Sequence, residues 1–167
     1  MNLKIRSNVF ETNSSSTHSI CVTKNNILDK KLNNIEFTIG EFGWECRIIY
    51  DVDTKAKYLY TAILVEDKLD LIDKIKIILD NNNIEYNFET PEYETWEYEG
   101  REYTNLKYGY IDHSEDLDEF LNICEDENKL MRYLFSSESF IITGNDNDDH
   151  SVDINVKYDH EEYYKGN

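Results

Sequence analysis

Apolar residues recur with two different periods along this chain, and the places where the period changes delimit its predicted elements. From Thr54 onward Ala56, Leu59, Tyr60 and Ile63 fall at helical spacing, with Asp53 or Thr54 as the expected N-cap. A second stripe follows, in which Leu71, Ile72, Ile75, Ile78 and Leu79 share one helix face while Asp70, Asp73, Lys74 and Lys76 fall largely on the other. Asn81-Asn82-Asn83 should stop that helix. Period two then takes over, because Ile84, Tyr86 and Phe88 alternate with polar residues as in a half-buried strand. Two more helices are predicted, one capped by Ser114 and burying Leu117, Phe120, Leu121 and Cys124, the other capped by Asp126 and burying Leu130, Met131, Leu134 and Phe135.

Short apolar runs predict strands at Leu3–Arg6, Ser19–Lys24, Ile35–Ile39, Cys46–Tyr50, Tyr108–Ile111, Ser139–Thr143 and Val152–Tyr158. Gly40 and Gly43 in G-E-F-G-W can turn the chain between the third and fourth of these, and Asn25–Asn34 reads as polar with a helical turn. Trp96 to Tyr103 reads as a hairpin with Glu99-Gly100 at its tip. That register sets Trp96 opposite Tyr103, which is favourable, and Glu97 opposite Glu102, a like-charge pair costing a few tenths of a kcal/mol. Helices and strands mix without strict βαβ alternation, so the expected class is α+β, mostly antiparallel with about four helices. The 167 residues suit one domain, placed at 1–158, with 159–167 as a loose tail.

Charge changes the picture most. Lys and Arg number 17 against 35 acids, a net charge of −18. Residues 1–34 hold five bases and two acids (+3), whereas 35–167 hold twelve bases and thirty-three acids (−21). Seven acids and one base lie between Glu85 and Glu102, and eight acids with no base between Asp112 and Glu127. Solubility of a small domain needs a net charge of only about 2 to 8 in magnitude. Such a field repels phosphates and anionic lipid and attracts basic protein surfaces, so direct nucleic-acid binding is disfavoured. Carboxylates on one strand face recur every 6.6 Å or so and can present a row of negative charge to a nucleic-acid-binding groove.

Thirteen Tyr, seven Phe and two Trp supply a packable core. Cys21, Cys46 and Cys124 are too few and too scattered for a disulfide framework and read as buried, reduced thiols of a cytoplasmic protein. The opening M-N-L-K-I-R is too short and polar for a signal peptide, and no apolar run is long enough to span a bilayer.

One stretch stands out chemically: R-S-N-V-F-E-T-N-S-S-S-T-H-S, from Arg6 to Ser19, carries a guanidinium, a carboxylate, an imidazole and seven hydroxyls. As a catalytic site it would use a serine (Ser14, Ser15 or Ser19) as nucleophile, His18 as acid or base, Glu11 to orient it, Arg6 to hold an anion and Asn13 as a further polar contact. As a structural loop, its Asn and Ser side chains would bond local backbone while Val9, Phe10, Ile20 and Val22 anchor it. No Gly-x-Ser-x-Gly elbow or phosphate-binding glycine loop accompanies it. His18-x-x-Cys21 has chelating spacing, but Cys46, His113, Cys124 and His150 supply no second close pair. Asn145–Asp149 resembles the start of a calcium loop, yet the sixth-position glycine and twelfth-position glutamate are missing. No metal or cofactor is therefore expected.

The run R-x-x-V-F-E-T-N-S-S-S-T-H-S-I resembles the N-terminal signature of uncharacterised proteins from phages and prophages of Firmicutes, and the later F-I-I-T-G-N-D-N belongs to the same resemblance. The Lys and Asn bias agrees with an AT-rich genome. The resemblance implies an origin, and that Arg6, Phe10, Glu11, Asn13, Ser14, Ser15, His18 and Ser19 act together, but implies no reaction.

The expectation is thus an acidic, phage- or mobile-element-encoded protein that binds a basic surface of a host nucleic-acid-processing or defence protein, as an inhibitor or nucleic-acid mimic of anti-CRISPR type. Contact residues would be Glu92, Glu94, Trp96, Glu97, Tyr98, Glu99, Glu102 and Tyr103 of the hairpin, with Glu115, Asp118 and Glu119 of the acidic helix. The alternative is a small enzyme or nucleotide-binding protein using Arg6–Ser19.

Overall fold

The computed structural model describes residues 16–29, 34–43, 45, 47–112, 117–145 and 161–166. Its centre is helix α1, Val52–Val65, in which Tyr58, Leu59, Ala62 and Ile63 are fully buried. Charged residues are scarce in this segment, so almost every face is apolar and the helix is packed nearly all round. Asp51 is the N-cap, two or three residues earlier than the expected Asp53 or Thr54: its carboxylate accepts from the Thr54 amide at 2.7 Å. At the other end Asp67 takes a left-handed φ of 55°, and the Lys68 amide donates back to the Ile63 carbonyl at 2.9 Å. That is a Schellman stop, with Asp in the place glycine often fills.

Helix α2, Asp70–Asn81, turns Leu71, Ile75, Ile78 and Leu79 inward as the stripe predicts. The asparagine run ends it by the same device, with Asn83 at φ 55° and the Ile84 amide bonded to Leu79 O at 3.0 Å.

Among the described residues the main sheet has four antiparallel strands in the order β10-β1-β9-β4. These are β1 (Ser16–Thr23), β4 (Arg47–Ile49), β9 (Phe140–Asn145) and β10 (Glu161–Gly166). Ile20 lies opposite Ile141, and both are buried in the core that α1 and α4 (Glu127–Phe135) complete. Asp126 caps α4 as expected, accepting from the Lys129 amide at 3.1 Å. The segment expected as a loose tail contributes β10, whose register pairs Ile20 with Tyr164, so backbone pairing holds what composition alone suggested would stray.

Two small parallel pairs also pack against α1. Strand β2 (Asn34–Phe37) pairs with β5 (Glu85–Phe88), and β3 (Glu41–Phe42) with β8 (Tyr110–Ile111). The strands flanking G-E-F-G-W therefore do not pair with each other. Phe37 stacks on Phe88 at 4.3 Å between ring centroids, and Tyr60 of α1 meets both edge-on, which is the side-chain reason β2 and β5 find one another. A hairpin, β6 (Tyr93–Tyr98) and β7 (Arg101–Leu106), stands apart as a two-stranded ribbon. The acidic helix is one turn, α3 (Asp118–Leu121), continued by a 3-10 turn at Asn122–Glu125, and Leu117 occupies its N-cap. Ser114 and the strands at Leu3–Arg6 and Val152–Tyr158 lie outside the described residues. These elements constitute an α+β fold with mostly antiparallel strands.

A lysine sits at the heart of this packing. Lys55 has no exposed surface, and its ammonium donates to Ser136 O at 2.8 Å and Ser139 O at 3.1 Å. Those carbonyls lie at and just beyond the C-terminus of α4, where a cation is also favoured by the helix dipole. Around them, Asp29 accepts from the Ser137 amide at 2.8 Å and from its hydroxyl, while Glu138 accepts from Thr23 Oγ1 at 2.9 Å and Asn25 Nδ2 at 2.8 Å.

Replacing Lys55 by Met, which keeps length but withdraws the donor from two carbonyls, should lower unfolding stability by roughly 2–4 kcal/mol. Denaturant titration with unchanged m-value is the check. Asp29 gives a pH test. Hydrogen bonds from Ser137 hold its carboxyl below the ordinary 3.8. Its contribution is then present above about pH 4 and disappears as pH falls through the lowered folded value. The stability gap between wild type and Asp29→Ala should accordingly close in acid, and a gap that widened there would contradict the assignment.

Candidate interaction surface

Of the residues expected to form an N-terminal site, Arg6, Glu11, Asn13, Ser14 and Ser15 lie outside the described residues. His18 is described and is buried, 1% exposed, with Nδ1 3.1 Å from the hydroxyl of Tyr58. It lies on the same strand face as Ile20 and Val22, toward α1. Ser19 is its neighbour on β1 and so points to the opposite face, which means the two do not converge as base and nucleophile. The hydroxyl of Tyr58 is itself fully buried, and that burial pushes its ionisation far above the ordinary range.

The same alternation removes the chelate, because Cys21 lies three positions after His18 and that odd offset sends their side chains to opposite sides of β1. Among the described residues no three His, Cys, Asp or Glu side chains gather as a metal site. Cys46, His113, His150 and Asp146–Asp149 lie outside them. Cys124 is buried, as read from the sequence, and burial pushes its thiol up to about 12. That places it far from the reactive thiolate regime.

The hairpin is described in full. Glu99 and Gly100 both have positive φ, 51° and 73°, the type I′ geometry that matches the twist of two antiparallel strands. This turn sets the register Trp96↔Tyr103, Glu97↔Glu102 and Tyr98↔Arg101, as the sequence predicts. Trp96 and Tyr103 stack with centroids 5.8 Å apart and planes at 22°. Pairs directly opposite share a face, so Trp96, Tyr103, Tyr98, Arg101 and Glu94 lie on one side. Glu97 and Glu102 lie with Thr95 and Thr104 on the other. The expected aromatic anchors and the like-charge pair are therefore on opposite faces of the ribbon.

Clustering on one ribbon distinguishes these carboxylates from the rest. Glu92 is joined to Lys107 at 3.0 Å, but Glu94, Glu97, Glu99 and Glu102 are exposed and have no ion pair among the described residues. Elsewhere some acids are matched, since Lys74 reaches Asp70 and Glu125, Lys76 reaches Asp73 and Arg47 reaches Glu45, while Glu41, Asp53, Asp67 and Glu85 are exposed without an ion pair among the described residues but lie scattered over separate elements. On the acidic helix Asp118 meets Lys68 at 3.2 Å, Glu119 is exposed and Glu115 lies outside the described residues. The helix thus offers less unmatched charge than the sequence suggests, and the hairpin gathers four unmatched carboxylates on one element.

Beside Tyr98, which the sequence singles out, the structure adds Tyr93, Tyr108 and Tyr110 as exposed aromatics. Tyr93 is 48%, Tyr98 57%, Tyr108 69% and Tyr110 43% exposed, a concentration of large amphipathic rings over one segment. Tyr108 also holds a left-handed φ of 61°, with the Lys107 ammonium 4.7 Å from its ring centroid. The signal was the tyrosine density between 93 and 110, which reads equally as core until burial is known. A cleft of about 330 Å³ is lined in part by Glu41, Glu45, Asp51 and Arg47. Partial burial and the charges of Glu41, Asp112 and Glu45 raise the ionisation of Tyr110. This flank too is anionic.

Comparison of the chain with protein-family models, curated proteins and solved structures finds no match. No described helix is long and apolar enough to cross a membrane. Cys124 should remain unmodified by iodoacetamide in the native protein at pH 8 and react on denaturation, read by peptide mass spectrometry. Rapid native labelling would contradict its burial.

Proposed function

We propose that this protein binds a basic surface of another protein through the β6–β7 hairpin. The observation that carries the reading is the set of four exposed carboxylates, Glu94, Glu97, Glu99 and Glu102, without ion pairs among the described residues, on a ribbon that also presents the half-exposed Trp96–Tyr103 stack. Like charges set directly opposite cost stability within the fold, and a cationic partner turns that cost into attraction. Half-exposed tryptophan and tyrosine supply the apolar contact area typical of interface anchors. The net charge of −18 favours association with cationic surfaces over nucleic acid itself.

The partner class that fits is a host protein whose basic groove ordinarily takes nucleic acid, within a nucleic-acid-processing or defence system. The protein would then act as an inhibitor by occupying that groove. The phage-like N-terminal run supports the choice of host. No observation among the described residues favours the enzymatic alternative, since His18 is buried and Ser19 faces away from it.

Charge reversal at Glu94, Glu97 and Glu99 should weaken association with basic nucleic-acid-binding proteins by roughly tenfold or more at low salt. Pull-down and surface binding across a salt series measure this. Unchanged association after the triple reversal would defeat the reading.

A further inference from the structure

Among the described residues, neither outer edge of the hairpin pairs with another strand. The Lys107 amide donates to Glu92 O at 2.8 Å, marking that pair as hydrogen-bonded. Antiparallel pairs alternate, so 94/105, 96/103 and 98/101 are hydrogen-bonded pairs, whereas 93/106, 95/104 and 97/102 are not. The backbone N–H and C=O groups of Tyr93, Thr95 and Glu97 therefore point outward from β6, and those of Glu102, Thr104 and Leu106 outward from β7. No further strand pairs with either edge among the described residues, and Thr95, Glu97, Glu102 and Thr104 are exposed.

The edges differ in charge. Strand β6 carries Glu94 and Glu97 and no base, while β7 carries Arg101 beside Glu102. We propose that the β6 edge receives an extended basic segment of the partner as an added strand. This rests on the reading of the hairpin as the contact surface, and it specifies how that surface is used. Main-chain bonds to Tyr93, Thr95 and Glu97 supply affinity without regard to sequence. Specificity comes from alternation of the guest's side chains. Those on one face meet Glu97, and those on the other meet Glu94 and the Trp96 ring, where an arginine both pairs with the carboxylate and packs on the indole. A second copy of this chain is a poor occupant, because each copy brings −18 to the contact.

The test uses two proline substitutions in the full chain. Thr95→Pro removes an outward N–H from β6, and Thr104→Pro removes the matching one from β7; neither amide belongs to the hairpin's own ladder. Both lose the same Thr95–Thr104 hydroxyl contact at 3.4 Å, so the difference between them reports the edge. The probe is a fluorescent peptide alternating arginine and valine, followed by anisotropy at low salt, with an N-methylated copy that cannot form a ladder. Expected are binding to wild type and Thr104→Pro, with loss on the order of tenfold or more for Thr95→Pro and for the N-methylated peptide.

Equal binding by all three proteins, with loss only on reversal of Glu94, Glu97 and Glu99, would overturn strand addition while leaving the hairpin as an electrostatic surface. Failure of wild type to bind the peptide would overturn the proposal, and loss of the basic-protein pull-down as well would remove the underlying reading. A wild-type dimer that Thr95→Pro converts to monomer, seen by sedimentation, would assign the edge to a second copy and likewise overturn it.

Discussion

The buried ammonium of Lys55 is the constraint around which the core is arranged. It belongs to the central helix, yet its donors serve carbonyls at the end of α4 and at the start of β9. A charge without solvent must be solvated by the protein, so those carbonyls are held in place. Tyr133 returns the tie, donating to Lys55 O at 2.9 Å. The loop from Thr23 to Asp29 closes over the same turn through Glu138 and Ser137, which fixes where β1 leaves the sheet. Helix, sheet and loop thus meet at one polar joint inside an otherwise apolar interior.

The hairpin obeys a different logic. Its turn and its Trp96–Tyr103 stack are favourable, but its Glu97–Glu102 pair works against folding, and the body does not require its outer half for burial. Acids near helix starts, such as Asp53, Asp70 and Glu127, have a structural use there. The hairpin's carboxylates have none. Charge that stability does not explain, on an element whose edges pair with no other strand among the described residues, is the physical basis for proposing this ribbon as a contact surface.

Much of this was legible in the chain. The stripe in α2, the Asp126 cap, the asparagine stop and the hairpin register all have causes within a few residues of their effects, so local reasoning reached them. The α1 cap was misplaced because Asp51 and Asp53 are both competent, and only backbone geometry chooses between them. The apparent His18 and Ser19 site failed for a related reason. Adjacency in sequence looks like convergence, but a strand sends neighbours to opposite faces.

Local sequence suffices for the α+β class, the surplus of negative charge and the geometry of the acidic ribbon with its two unlike faces, because propensity, net charge and turn chemistry are properties of short segments. Long-range packing is what pairs β2 with β5, completes the main sheet with residues 161–166 and buries Lys55 and His18. Those outcomes depend on groups distant in the chain competing for the same interior. Pairing partners, solvent exclusion and the sharing of counter-ions are settled by that competition and are not written in any one segment.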